Sequence, residues 1–204
     1  MIQKINYDLI MQQIIKGLNH KPKLLLHSCC APCSSSVIER LREYFDVTVY
    51  YYNPNVYPTE EYEIRKTEQK NYLEKIDIPF IEGEYSKLDF YDSVLGLENE
   101  LEGGKRCYSC YKFRMKSCAK KAKDLNFEYF CTTLSVSPHK NSTYINEIGK
   151  NLEEEYNIKF LFSDFKKRQG FLRSLALSKE NNFYRQNYCG CEYSMNTTKK
   201  ENLN

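Results

Sequence analysis

Nine cysteines in 204 residues, most of them gathered into three short groups, are the residues with the most chemistry to offer. The first group is Cys29-Cys30-Ala31-Pro32-Cys33, three thiols between an apolar run and a helix-like segment. Oriented backbone N–H groups and a helix dipole at such a junction favour thiolates. The second is Cys107-Tyr108-Ser109-Cys110, whose Cys-x-x-Cys spacing lets two sulfurs converge on one metal or cluster, with Lys105, Arg106 and Lys112 beside it to lower thiol pKa. The third is Cys189-Gly190-Cys191. A disulfide across one residue closes a small, strained and readily reduced ring, and Gly190 supplies the backbone freedom it needs; two unlinked thiols, or two more metal ligands, are the alternatives. Cys118 and Cys131 fall within helix-like and strand-like segments and read as small buried hydrophobes.

Together the adjacent Cys29 and Cys30 and the distant Cys107 and Cys110 can supply four thiolate ligands. A structural zinc site and a [4Fe–4S] cluster both remain open, because neither zinc-ribbon nor bacterial ferredoxin spacing is matched. Neighbouring cysteines are awkward for a compact zinc tetrahedron and easier to seat on a larger cluster. The longest strongly apolar stretch is Leu24-Leu25-Leu26, far short of the run of about 20 residues that a membrane span requires, and the first residues lack a signal-like apolar region. The expectation is a cytoplasmic protein, where an odd number of thiols reads as ligands and redox groups rather than structural disulfides.

The elements that must position these groups follow from periodicity. A helix over Tyr7–Leu18 precedes a buried strand, Lys23–His27, which enters the first cysteine loop; a helix follows over Ser34–Tyr44, with Ser34 or Ser35 as its cap. The pattern repeats: strand Asp46–Tyr52, helix Thr59–Ile76, strand Pro79–Glu82 and helix Ser86–Leu95. Then come the basic helix Tyr108–Leu125, the β-like run Phe127–Leu134, helix Asn141–Tyr156 and strand Ile158–Phe162. Alternating strands and helices predict an α/β fold with a mainly parallel sheet, in which sites lie at the carboxyl ends of strands. Residues 1–162 form this domain, 163–195 a basic, aromatic carboxyl-terminal appendage carrying Cys189 and Cys191, and 196–204 a polar tail.

Hydrophobic residues at 41% and only 6 Pro and 8 Gly exclude disordered and collagen-like classes. The net charge of +3 hides an asymmetry: residues 60–102 carry 13 acids against 5 bases, whereas 105–123 hold 8 bases and no acid, and 159–185 hold 7 bases against Asp164 and Glu180. Either basic stretch suits a polyanion such as nucleic acid, or a solvated helical face.

His27-Ser28-Cys29-Cys30-Ala31-Pro32-Cys33, Cys107-Tyr108-Ser109-Cys110 and Arg185-Gln186-Asn187-Tyr188-Cys189-Gly190-Cys191-Glu192-Tyr193-Ser194 together resemble the epoxyqueuosine reductases of the QueH type. The stretches Thr132–Lys140 and Ser163–Lys167 add to the likeness, which spans roughly residues 22 to 195. The resemblance implies a Rossmann-like fold similar to nucleotide α-hydrolases, and reduction of the epoxide of epoxyqueuosine at the tRNA wobble position to an alkene with loss of water, the last step of queuosine formation. It also implies a [4Fe–4S] cluster on Cys29, Cys30, Cys107 and Cys110, a redox-active disulfide between Cys189 and Cys191, and a mononuclear iron site beside the cluster. Some members carry Asp at the position of Cys33, so a thiolate would replace a carboxylate as ligand to that second metal. Cysteines stand where related ATP-using enzymes have a phosphate-binding loop, and no other such loop is present, so ATP chemistry is not expected. The implied partners are the anticodon arm of a tRNA carrying epoxyqueuosine, met by residues such as Lys112, Lys116, Lys166, Lys167 and Arg168, and an electron donor that the sequence does not identify. His27, His139 and the tyrosines are available as proton donors, none of them assigned, although a histidine ending an apolar strand reads first as structural. The rival readings are another Fe–S tRNA-modifying enzyme, such as a sulfur transferase, and a zinc-stapled RNA-binding module.

Overall fold

The structure, a computed structural model, describes residues 5–195; the polar tail expected at 196–204 lies outside them. Five strands, β1 (Lys23–Ser28), β2 (Asp46–Tyr51), β3 (Phe80–Glu82), β4 (Tyr129–Thr132) and β5 (Lys159–Phe160), form one parallel sheet in the order β3-β2-β1-β4-β5. Strand β1 is central, with Leu24 opposite both Val47 of β2 and Tyr129 of β4. Its run of leucines is buried on both faces, as a central parallel strand must be.

Side chains alternate across the sheet and divide the core into two layers. Leu24 and Leu26 pack with Val37, Ile38 and Leu41 of α2 (Ala31–Leu41), with Leu73 of α3 (Thr59–Lys75) and with Met11 of α1 (Tyr7–Lys16). Leu25 and Phe130 pack on the other face with Met115, Cys118 and Ala119 of α5 (Lys105–Asp124) and Ile145 and Ile148 of α6 (Ser142–Tyr156). The short α4 (Lys87–Ser93) precedes α5 in the chain and packs against it through Phe90 and Cys110. Cys118 and Cys131 are fully buried, as small core residues would be. The chain leaves β1 toward β2 and β3 and returns on its other side as β4 and β5, so the carboxyl end of β1 is the topological switch point of a Rossmann-like sheet. Among the described residues no helix is long and apolar enough to cross a membrane.

Four boundaries differ from the sequence expectation for physical reasons. Helix α2 starts at Ala31, not Ser34: extended Cys30 (φ −175°, ψ 162°) is its cap residue, and Pro32 lies in the first turn, where a missing N–H costs nothing. The expected cap hydroxyls of Ser34 and Ser35 instead donate back to the carbonyls of Ala31 and Pro32, each at 3.2 Å. Helix α5 starts at Lys105, which puts Cys107 and Cys110 inside its opening turns. The strand-like run 127–134 ends early at Thr132 and passes into a 3₁₀ turn, Thr133–Val136, while the last strand contracts to two residues. A further helix, α7 (Gly170–Glu180), was not expected; it packs on α2, where Arg173 Nε donates to Glu39 at 2.8 Å.

Candidate active site

Strand β1 ends, and α2 begins, on the cysteine loop, so three sulfurs gather at the switch point. The Cys29 and Cys30 sulfurs stand 3.7 Å apart, and those of Cys29, Cys30 and Cys33 all lie within 4.8 Å of one another. Among the described residues this is the one set of three or more Cys, His, Asp or Glu donors so closely grouped. As free thiols they share hydrogen bonds. Donation from Cys30 and Cys33 holds Cys29 well below the ordinary thiol range, with Lys140 and Arg114 adding their charge, and the same sharing pushes Cys30 and Cys33 up. Gln186 Nε2 donates to Cys30 at 3.1 Å, which ties this loop to the carboxyl-terminal segment.

The loop is braced from below. His27 Nε2 donates to the Tyr52 carbonyl at 3.1 Å, and Nδ1 faces the Thr132 hydroxyl at 2.9 Å. Complete burial and the nearby Arg114 cation push His27 down to about 3, so it is a neutral structural bridge between β1, β2 and β4. Asn53 Nδ2 donates to the Ser28 carbonyl at 2.8 Å, and its Oδ1 accepts from Arg114 of α5 at 3.2 Å. That chain of contacts docks α5 beside the end of β1.

Cys107 and Cys110 occupy the first turns of α5, one helical turn apart. The Gly103 N–H donates to Cys107 Sγ at 3.2 Å, and burial pushes both thiols up. Cys110 packs with Cys191, Phe90 and Val94, and Cys189 acts electrostatically on Cys107, Cys110 and Cys191. The seven expected site cysteines therefore fall into two facing groups. Cys29, Cys30 and Cys33 stand on one side and Cys107, Cys110, Cys189 and Cys191 on the other, with Arg114 near Cys110, Cys189 and Cys29. Lys140 likewise acts on Cys189, Cys29 and Cys33. A cavity of about 550 Å³ opens above them, lined by Cys29, Cys33, Cys189, Lys140, Arg185 and Gln186 among others.

The donor set suits a thiolate-held metal group. Its fit is also visible in what the protein leaves unpaired: Arg114 Nε and Nη2 and Arg65 Nη2 are buried without a hydrogen-bond partner, beside the thiols on which both charges act. Buried donors left unpaired are costly, and a negatively charged, sulfur-rich group would satisfy them. Sequence reading passed over Arg65, Arg114, Lys140 and Gln186 as functional residues. Lys140 and Gln186 lay inside recognised motifs, but Arg65 pairs with Glu61 at the i,i+4 spacing of an ordinary surface ion pair, and nothing local marks it as buried.

The basic residues expected to meet phosphate are partly engaged within the chain. Lys116 pairs with Glu155 at 3.0 Å, Lys166 with Asp164 at 2.6 Å and Arg168 with Asp8 at 3.1 Å, while Lys112 and Lys167 are exposed. Arg106 and Arg114 are buried, so α5 is not simply a solvated basic face.

The sequence model of one family, epoxyqueuosine reductase QueH, matches residues 24–197. Proteins named epoxyqueuosine reductase QueH are similar over most of the chain. The one from Streptococcus pyogenes is 41% identical over 201 residues, covering 94% of this chain and 79% of its own. Those from Staphylococcus epidermidis (39%; 94% and 85% covered) and Thermotoga maritima (38%; 84% and 90% covered) are similar as well. Among solved structures, the U34-tRNA thiolase NcsA of Methanococcus maripaludis, described with its [4Fe-4S] cluster, superposes with a TM-score of 0.51 at 12% identity, over 95% of this chain and 71% of that one, and shares the fold.

Proposed function

The chain belongs to the epoxyqueuosine reductase QueH family, and from that premise we propose how its own residues serve the reaction. The enzyme is an oxidoreductase. Its substrate is the epoxyqueuosine base at the tRNA wobble position, which takes up two electrons and two protons to give the alkene of queuosine and water. Cys29, Cys30, Cys107 and Cys110 would hold a [4Fe–4S] cluster, with Cys33 completing a mononuclear metal site beside it; these groups supply one-electron transfer and Lewis acidity when bound.

The remaining work belongs to the chain. The cavity over Cys29 and Cys33 is of a size to admit a base turned out of an anticodon loop. Lys140, on its wall, puts a positive charge where the epoxide oxygen becomes an anion. His27, buried and neutral, holds the end of β1 in place and is not a proton donor. Cys189 and Cys191 form the dithiol whose oxidation to a disulfide releases two electrons and two protons, matching what the epoxide consumes. The segment 163–195 that carries them is the appendage closing the site, and exposed Lys112 and Lys167 face the anticodon arm.

The observation that carries this reading is that one cavity brings together the Cys29–Cys33 loop and Cys189, residues 156 or more apart in sequence. The test is turnover of epoxyqueuosine-containing tRNA by anaerobically reconstituted protein with dithiothreitol and no nucleotide, followed by mass spectrometry of the released nucleosides. Queuosine should accumulate over many turnovers, and Cys189→Ser should stop after the electrons already stored are spent. Unchanged multiple turnover by Cys189→Ser would remove the dithiol from the scheme, and a strict requirement for ATP would point to sulfur-transfer chemistry.

A further inference from the structure

Arg65 of α3 is 1% exposed, yet it meets the Cys189-Gly190-Cys191 turn from beneath. Its Nη1 donates to the Cys189 carbonyl at 3.4 Å, and the Tyr188 ring lies over the guanidinium at 5.3 Å. The approach leaves no room for a side chain in the turn: a Cβ on Gly190, whose φ is +125°, would stand 2.8 Å from Arg65 Nη1. Arg65 is itself fixed from behind. Its Nε donates to Glu61 at 2.7 Å, and Glu61 accepts from the Tyr184 hydroxyl at 2.9 Å, so the segment entering the turn is anchored to the same pair. A second fastening comes from the Tyr57 N–H, which donates to the Gly190 carbonyl at 2.8 Å. On its other side the Arg65 charge acts on Cys30 and Cys29, and Nη2 is buried without a partner.

A buried arginine that is paired on one edge, stacked on one face and unpaired at one nitrogen is costly unless it positions something. We propose that Arg65 is a positioning residue for the reductase: with Glu61 as its anchor, it docks the Cys189-Gly190-Cys191 turn against the Cys29–Cys30 end of β1 and stabilises the turn in its dithiol form. The proposal rests on the reading of Cys189 and Cys191 as the redox pair. The step it serves is balanced within the chain and substrate. Two S–H bonds are lost and one S–S bond forms, two electrons and two protons are released, and the epoxide takes them up to leave alkene and water. An S–S bond across one residue closes a small ring that must bend the backbone at Gly190, and the contacts from Arg65 and Tyr57 to the Cys189 and Gly190 carbonyls oppose that bending. Arg65 therefore favours the reduced form, which makes the pair a stronger oxidant than it would be alone.

The experiment titrates anaerobically reconstituted full-length protein against dithiothreitol redox mixtures, traps thiols by alkylation and counts the linked and unlinked 189–191 peptide by mass spectrometry. Arg65→Met should shift the dithiol–disulfide equilibrium about tenfold toward disulfide, or about 30 mV to more negative potential. Arg65→Lys, which keeps charge but not the planar fork, should fall between it and wild type. Steady-state kinetics should show kcat reduced in the same order with KM for tRNA within twofold. If Arg65→Met fails to fold or to keep iron, the Arg65→Lys shift carries the test. An equilibrium within twofold of wild type in a folded, iron-loaded variant, or a shift toward dithiol, overturns the positioning role. Absence of any 189–191 couple in the wild type overturns the redox-pair reading itself, and the role of Arg65 with it.

Discussion

At the residue scale, the site is built by bringing thiols and buried cations together, and the two kinds of residue were unequally legible. Cysteines announce themselves by number and spacing, so all seven candidate site cysteines could be named from the chain alone. The arginines could not, because burial of Arg65 and Arg114 is decided by how α3 and α5 pack and leaves no local sign. Asn53 shows the consequence of such burial. It satisfies the Ser28 carbonyl and an Arg114 N–H at once, so Asn53→Leu orphans both and should lower unfolding free energy by about 2–4 kcal/mol, read as a reduced chemical-denaturation midpoint. Iron retained after desalting should fall with it, because α5 loses its tie to the β1 end; full retention of iron would separate α5 docking from this contact. Gly190→Ala should slow multiple turnover at least tenfold while far-ultraviolet circular dichroism stays unchanged, since the added methyl meets Arg65 at a left-handed backbone position.

At the element scale, the strand and helix order was readable because apolar periodicity is a local property, whereas boundaries depended on turn chemistry. Pro32 was the overlooked sign: proline in an opening turn places the start of α2 at Ala31, and this start puts Cys33 in the helix close to Cys29. Helix α7 escaped notice because it is short, it starts after a left-handed Gln169 with no capping side chain to mark it, and its partner face is on α2, far away in sequence. The packing of α6 on β5 gives a sharper test. A Cβ on Gly149 would collide with the Phe160 ring, so Gly149→Ala should destabilise by about 1–3 kcal/mol, and adding Phe160→Leu should recover part of that loss in a double-mutant cycle. Additive losses would show that the two residues do not share this contact. Cys131 of β4 supplies a pH test. Burial pushes its thiol from the ordinary value near 9 up to about 12, so between these values the unfolded chain releases a proton that the folded chain keeps. Stability must then fall as pH rises through this window, by up to about 1.4 kcal/mol per pH unit for this group. Cys131→Ala should flatten the decline in denaturation midpoint above pH 9; an unchanged slope would deny the thiol this part.

At the scale of the whole molecule, the small net charge conceals a basic surface that is less available than its composition suggests. Lys116, Lys166 and Arg168 are already paired with acids of the same chain, while Lys112 and Lys167 are exposed. Removing either of the exposed pair should reduce the slope of log affinity for tRNA against log salt by roughly 0.7–0.9, whereas Lys116→Ala should change it less. Equal effects at paired and exposed sites would mean that the ion pairs open on binding. The parallel sheet, its switch point and the cysteine loop form one arrangement: the fold puts the end of β1 where ligands bind, and the sequence puts thiols there. The most direct test of the central claim is the absorption spectrum of anaerobically purified protein with iron and zinc analysis on the same sample. A broad band near about 400 nm with four or more irons per chain, lost when Cys29, Cys30, Cys107 or Cys110 is changed to alanine, is the expected result. A colourless protein holding one zinc per chain would contradict it.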